Sequence, residues 1–320
     1  MTLTFLEIAL LIFFASLFTY NTIAGVGENV TVITQLNIGN VFPEILNVSL
    51  NNEEDIALTP NETTLVSCMA VVRDYNGRDD IANVEALLYD SSAIVPKADA
   101  GNDHYTNSSC EIIYDFGTYN TYVDDGNYTA LANCSFHLQY YANPGEWICN
   151  VTVNDTYNWQ DNQANTGEVL QLLALGLPET IHYGTVNATF VSDENVTTVT
   201  NFGNVMVNLS LEGYGAERGD GFAMNCTTGN VQNISIEYER FNLTETTPGP
   251  LTLSEFNSLY EALTSDPLEP LIRQFQLDYK QDDDPTLSQK DSFWRIYVPI
   301  GVAGTCDGHI IFGATTAPEP

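Results

Sequence analysis

The chain has 320 residues, 9 Lys+Arg against 42 Asp+Glu, and a formal net charge of −33. At about 100–200 residues per domain this length predicts two domains, and an apolar content of 44% is enough to build cores, which excludes global disorder. The charge excludes nucleic acid and anionic lipid surfaces as partners, since both need clustered Lys and Arg.

The N-terminus carries an apolar run, Ile8–Phe18, of signal-peptide length and too short for a comfortable membrane span. Residues 1–25 are expected to be a signal peptide, with small residues at Thr22-Ile23-Ala24 for cleavage. No Lys or Arg precedes the run and Glu7 sits at its edge, so an uncleaved N-terminal anchor is the alternative. No later segment has the length and apolarity to span a bilayer. Residues 26–40 are expected as a leading strand, because Asn29–Ile38 alternates and would suit an open sheet edge on a neighbour.

From there on, nearly every long segment has period two or β-branched runs bounded by Gly, Asn, Asp and Pro. Strands are predicted at 44–50, 64–73, 83–89, 110–116, 134–141, 146–153, 169–175, 181–186, 196–201, 205–211, 221–227, 234–238, 273–279, 293–298 and 308–313. Short strands with frequent turns mean an all-β chain of stacked sheets rather than βαβ units. A polar, turn-rich stretch, Asn154–Gly167, separates two strand-rich halves. The expected organisation is a sandwich at 41–156, a linker at 157–167, a second sandwich at 168–314 and a tail at 315–320. One short helix is expected in the second half, where Leu253, Phe256, Tyr260 and Leu263 have helical spacing. Thr252 and Glu255 form a capping box before it, and Asp266-Pro267 ends it.

Fourteen N-x-[ST] triplets occur, at Asn29, Asn47, Asn61, Asn107, Asn127, Asn133, Asn150, Asn154, Asn187, Asn195, Asn208, Asn225, Asn233 and Asn242. The Asn and Ser/Thr content would give about five by chance, an excess that points to an exported, glycosylated chain. Strand parity agrees. In Glu146–Asn154, Trp147, Cys149, Val151 and Val153 share one face, while Asn150 and Asn154 share the other. Cys134 and Asn133, and Cys226 and Asn225, also fall on opposite faces, and Cys68 lies with Val66, Ala70 and Val72. Six cysteines in an exported chain read as three disulfides, with fifteen possible connectivities.

The segments Cys68–Asp90, Asp103–Cys110, Ala130–Asp155, Leu177–Val186, Val199–Gly215 and Phe293–Ala314 together resemble a family of exported, sequon-rich β proteins of small-genome uncultured archaea. The resemblance implies a surface location and little chemistry. The YGTV…NFGN…LSLEG stretch separately resembles bacterial and archaeal surface-associated immunoglobulin-like modules, which implies a spacing or display role; with the two strand-rich halves, the expected fold is all-β, two immunoglobulin-like sandwiches in tandem. By analogy with the immunoglobulin type, Cys68–Cys149 is the expected bond between sheets, with Trp147 two residues before the second cysteine. Cys110–Cys134 would then close a local strand pair, and Cys226–Cys306 would tie the second half.

Catalytic signatures are lacking. There is no GxSxG and no HExxH, and His104, His137, His182 and His309 are scattered as strand or surface residues. Gly213–Gly219 is off register for a dinucleotide loop. Asp79-Asp80, Asp124-Asp125 and Asp282-Asp283-Asp284 read as solvated turn charge. Calcium is the one cofactor to consider. Asp74, Asn76, Asp79 and Asp80 offer closely spaced oxygens in a loop, although Gly77 and Arg78 break the EF-hand register. The loop Ala98–Tyr105 and the run Asp282–Asp284 are weaker candidates for the same ion.

Tyr105, Tyr119, Tyr122, Tyr157 and Trp159 are candidates for an aromatic platform. The sequon-free last third holds Arg273, Lys280, Lys290 and Arg295 as a candidate contact surface. The sequence therefore points to a non-enzymatic, glycosylated, cell-surface or secreted structural or display protein, such as an envelope component. A carbohydrate- or host-surface-binding adhesin module is the alternative. Its partners would be other envelope proteins or surface glycans.

Overall fold

Alternating side chains and turn-forming residues commit the chain to antiparallel pairing, and the burial of the alternate residues decides how the sheets stack. A computed structural model describes residues 29–317. The apolar run at Ile8–Phe18 and the expected cleavage region lie outside the described residues. The chain divides into two units, Met1–Asn40 and Val41–Pro320. In the first, the described residues are irregular and almost wholly exposed, with no regular pairing. The leading strand expected over 30–38 is therefore not formed. Val32, Ile33, Leu36 and Ile38 are each more than 70% exposed, so no neighbouring sheet fixes the alternation.

The first half of the second unit comprises β1 (Glu44–Leu50), β2 (Thr63–Arg73), β3 (Ile81–Asp90), β4 (His104–Asn107), β5 (Glu111–Ile113), β6 (Thr118–Tyr119), β7 (Tyr122–Val123), β8 (Thr129–Gln139), β9 (Gly145–Asp155) and β10 (Gln160–Val169). Two four-stranded sheets, in orders β1-β2-β8-β5 and β10-β9-β3-β4, enclose one core. Val66, Cys68, Ala70 and Val72 face Trp147, Cys149, Val151 and Val153 in the immunoglobulin-like manner. Trp147 is fully buried and donates its indole N–H to the Asn143 carbonyl at 2.8 Å.

The cysteines form three pairs. Cys68–Cys149 joins the two sheets, Cys110–Cys134 ties β8 to the residue preceding β5, and Cys226–Cys306 links directly opposed residues. With separations of 81, 24 and 80 residues, loop closure gives about 3.5–4.5 kcal/mol for each in the chain-entropy model.

The expected linker at 157–167 is a strand over most of its length. β10 pairs with β9 through ten residues, Gln160↔Asn154 to Val169↔Gly145. It reads as a linker because it is an edge strand, largely open to water, and such a strand needs no apolar alternation. Its side chains also close the sandwich edge, with Asp161 accepting the Ile45 N–H and Asn165 donating to the Val48 carbonyl. Glu168 and Val169, expected in the second sandwich, thus belong to the first.

The second half comprises β11 (Leu175–Gly176), β12 (Asn195–Asn201), β13 (Val207–Tyr214), β14 (Phe222–Gly229), β15 (Asn233–Ser235), β16 (Glu239–Asn242), α1 (Leu253–Leu259), β17 (Glu261–Ala262), β18 (Leu271–Leu277), β19 (Gln289–Ile296), β20 (Val302–Asp307) and β21 (His309–Thr316). The sheet β11-β12-β19-β16-β17 packs against β18-β13-β21 around Trp294, Phe275, Leu209 and Leu211. A smaller core lies beneath β15-β14-β20 and its disulfide. Thr315 and Thr316, expected in the tail, belong to β21.

The predicted capping box is present, with Thr252 Oγ1 accepting the Glu255 N–H. The helix ends at Leu259, however, because Glu261–Ala262 pairs with β16. Residues 170–174 and 181–186, expected as strands, are irregular. Leu172, Ile181 and Tyr183 bury their apolar surface without joining a sheet. Among the described residues, no helix is long and apolar enough to cross a membrane.

Two buried asparagines tie the halves together. Asn204 donates to the carbonyls of Ala142 (2.9 Å) and Leu170 (3.1 Å) and accepts the Leu172 N–H at 2.7 Å. Asn102 donates to the carbonyls of Tyr141 and Lys280 and accepts the Asp282 N–H. Asp282 also accepts from the Tyr141 hydroxyl at 2.8 Å and from the Gly101 N–H. It is therefore part of this junction rather than solvated turn charge.

Candidate functional site

β2 and β9 carry the inter-sheet disulfide, and the inward face of each strand continues past its cysteine. Six residues beyond Cys68 that face reaches Asp74, and six residues beyond Cys149 it reaches Asp155. Both carboxylates are therefore delivered to one end of the sandwich and buried there, Asp74 at 0% and Asp155 at 1% exposure. Asp80 closes the short 3₁₀ turn Arg78–Asp80 just before β3. The β3–β9 register sets Ile81 opposite Asp155, which brings Asp80 alongside it. One carboxylate oxygen from each of Asp74, Asp80 and Asp155 lies within 4.8 Å of the others.

The local hydrogen bonds fix these groups and leave one oxygen each of Asp74 and Asp80 unsatisfied. Asp74 Oδ1 accepts the Asn76 N–H at 2.7 Å. Asp155 Oδ1 accepts the N–H groups of Tyr157 (2.9 Å) and Trp159 (2.8 Å), holding the β9–β10 turn. Asp80 Oδ1 accepts from the Thr156 hydroxyl. The second oxygens of Asp74 and Asp80 are buried without a hydrogen-bond partner. Burial pushes the Asp74 carboxyl above the usual carboxylate range; the Asn76 N–H opposes this, and the charges of Asp80 and Asp155 reinforce it. Each ionised pair at such a separation repels by about 3.5 kcal/mol or more at an effective dielectric of about 20.

This set differs from the loop ligands the sequence suggested. Asp74 and Asp80 converge, whereas Asp79 is exposed and Asn76 turns its Oδ1 to the Val41 N–H at 2.7 Å. Asp155, overlooked on the sequence, replaces them; its signal was an acid at an inward position of a strand. The flanking arginines are engaged elsewhere: Arg73 pairs with Glu44 at 2.9 Å, and Arg78 pairs with Asp115 at 2.9 Å and lies over the Tyr114 ring. In the weaker candidate loop, Asp99 instead accepts from the Thr106 hydroxyl at 2.7 Å and sits 3.1 Å from Nδ1 of the buried His104.

Exposed aromatic side chains surround this end. Phe42 stacks on Trp159 at 4.2 Å, Tyr157 is 66% exposed, and Tyr75 and Tyr128 pack beside each other. Of the five platform candidates only Tyr157 and Trp159 fit. Tyr105 packs on Trp147, Tyr119 buries its hydroxyl, and Tyr122 bonds the Leu46 carbonyl.

The expected contact surface in the last third also changes. Arg295 is fully buried and donates to the carbonyls of Ser192, Thr247 and Gly249. Arg273 pairs with Glu261, Lys290 bonds the Phe275 carbonyl, and Lys280 lies over Tyr141. These cations serve the fold.

The sequon asparagines are not equivalent. Asn29, Asn61, Asn127 and Asn187 are exposed. Asn107, Asn133, Asn150, Asn154, Asn195, Asn225, Asn233 and Asn242 are half-buried. Asn47 and Asn208 cannot carry a glycan in this fold. The Asn47 amide nitrogen is buried, and Asn208 is 7% exposed with its Oδ1 accepting the Phe275 and Gln276 N–H groups.

A second polar singularity lies in the other half. Glu239 and Tyr183 line a cleft of about 310 Å³, together with Met224, Ile181, His309 and Phe312. The Tyr183 hydroxyl donates to Glu239 Oε1 at 2.9 Å, and Oε2 is buried without a partner. Burial lifts the Glu239 carboxyl to about 7, against a smaller lowering by the Tyr183 hydrogen bond.

No protein-family model matches the sequence, and no curated protein does. Among solved structures, the chain is similar to one described with a chaperone-tip adhesin complex of CFA/I fimbriae biogenesis. Identity there is 12% and the TM-score 0.30, over 85% of this chain and 81% of that one. It is also similar to the C-terminal domain of the Streptococcus agalactiae AgI/II polypeptide BspA (12%, TM-score 0.22, 86% and 99%). The C-terminal domain of the Streptococcus pyogenes antigen I/II-family protein AspA is a third (11%, TM-score 0.25, 88% and 97%). At these TM-scores none carries a functional argument.

Proposed function

We infer that the protein is an exported, non-enzymatic structural or display module of a cell surface. The observation that carries this reading is the complete pairing of its cysteines: six thiols, three disulfides, none free. Such bonds persist in oxidising compartments and are rare where glutathione keeps thiols reduced. Export through the N-terminal apolar run and glycans on the exposed sequons accord with it. The junction through Asn204 and Asn102 holds the two sandwiches in a fixed relation, which suits a part that must present a surface rather than open around a substrate. Partners would be other envelope proteins. Thiol titration of the native protein, combined with membrane-impermeant biotinylation of intact cells, tests this reading. Blocked thiols and biotin label on whole cells are expected. Six titratable thiols, or label only after lysis, would overturn it.

A second reading is favoured by the aromatic cluster at the end of the first sandwich. Phe42, Trp159 and Tyr157 present flat apolar faces beside polar groups, the surface that stacks on sugar rings. A glycan array probed with the protein and with Trp159→Ala decides it. Binding lost in the variant supports a carbohydrate-binding role, and silence from both removes it.

A further inference from the structure

We propose that Asp74, Asp80 and Asp155 form a binding site for one calcium ion that fastens the two sheets of the first sandwich at the end where β2, β3 and β9 meet. The donor set is all oxygen, which suits a hard cation and not zinc or copper. Its three carboxylates come from two sheets: Asp74 follows β2, while Asp80 precedes β3 and Asp155 ends β9. Two observations beyond the clustering of acids point to a ligand. Asp74 is wholly buried, and its Oδ2 has neither solvent nor a hydrogen-bond donor. Asp80 Oδ2 is in the same condition. Buried carboxylates persist when they are paired or coordinate a metal. Arg73 and Arg78, which flank Asp74 and Asp80 in the chain, are spent on Glu44 and Asp115.

Calcium fits better than magnesium. Calcium accepts six to eight oxygens in adaptable geometry, whereas magnesium requires a near-ideal octahedron and keeps most of its water. Water bound with the ion would fill the remaining positions. The site would act as a second cross-link between the sheets, at the end of the strands that Cys68–Cys149 already joins. It also anchors the turn that bears Tyr157 and Trp159, since Asp155 holds both of their N–H groups. Occupancy therefore sets the placement of the exposed aromatic side chains there.

The test uses the full chain stripped with a chelator. Calorimetric titration with calcium chloride should give a stoichiometry of one and a Kd of about 10⁻⁴ M or tighter. Calcium at about 100 times Kd should raise Tm by about 5 °C, and the same concentration of magnesium by less than half of that. Terbium should bind at the same place and luminesce through Trp159 and the neighbouring tyrosines. Asp74→Asn and Asp155→Asn should each weaken calcium at least tenfold, while Asp79→Asn leaves it unchanged.

A chelated Asp74→Asn protein should be no less stable than the chelated wild type, because the substitution removes like-charge repulsion. This separates loss of binding from loss of fold. The proposal is overturned if calcium up to about 10 mM moves neither heat nor Tm, if the two variants respond like the wild type, if Asp79→Asn abolishes the response, or if magnesium matches calcium.

Discussion

Glu239→Gln should make the protein more stable at pH 8 and nearly neutral in effect at pH 5. Glu239 sits beneath the second sandwich at 2% exposure, with one oxygen on Tyr183 and the other without a partner. Burial holds its carboxyl at about 7, against 4.5 for an ordinary glutamate. A folded-state value above the unfolded one means that the folded chain keeps a proton the unfolded chain has released. The contribution to stability is therefore fully present below pH 4.5 and is lost as the pH rises through 7.

With 1.36 kcal/mol for each pKa unit, the loss across that window is about 3 kcal/mol. Glutamine presents an oxygen to the Tyr183 hydroxyl and does not ionise, so the variant should escape the loss. Urea unfolding of wild type and variant at half-unit steps from pH 4.5 to 8.5 measures this. The difference between the two curves removes the titration of the other acidic groups. A difference growing by about 3 kcal/mol toward high pH is expected. A difference flat across the range would mean that Glu239 ionises in the fold as freely as in water, and would refute the reasoning.

Other consequences follow from single buried groups. Asn204→Ala strands the Leu172 N–H and the carbonyls of Ala142 and Leu170. It should cost about 2–4 kcal/mol and speed proteolysis within residues 170–174, read by mass spectrometry of timed digests; an unchanged digest would remove the junction role. Arg295→Met deprives three carbonyls of their donor and, at about 1–3 kcal/mol for each buried group left unsatisfied, should cost about 3 kcal/mol or more by denaturant titration. Intact glycopeptide analysis should find sugar on Asn61, Asn127 or Asn187 and none on Asn47 or Asn208. A glycan on Asn208 would require the contact between β13 and β18 to open.

Much of the architecture was legible because it rests on parity. The alternation through Cys68, Cys134 and Cys149 names the inward face of three strands, and the all-β class follows from the spacing of turns. The capping box at Thr252 and Glu255 is local chemistry and reads directly. β10 escaped because an edge strand has no core face to advertise itself. The segment 30–38 failed in the opposite way, since alternation gives a strand only where an edge receives it. The helix ended early because β17 needed Glu261 and Ala262 for β16.

For the acidic site, sequence proximity pointed to Asn76 and Asp79, which share a loop with Asp74 yet face away from it. Asp155 lies far along the chain, and it takes the β3–β9 register and the stacking of two sheets to set it beside Asp74 and Asp80. What the sequence determined is the periodicity of each segment, because side-chain direction along a strand is a property of the backbone itself. Which faces meet, and so which charges are forced together in a dry space, was decided only when the sheets closed on each other and excluded water from between them.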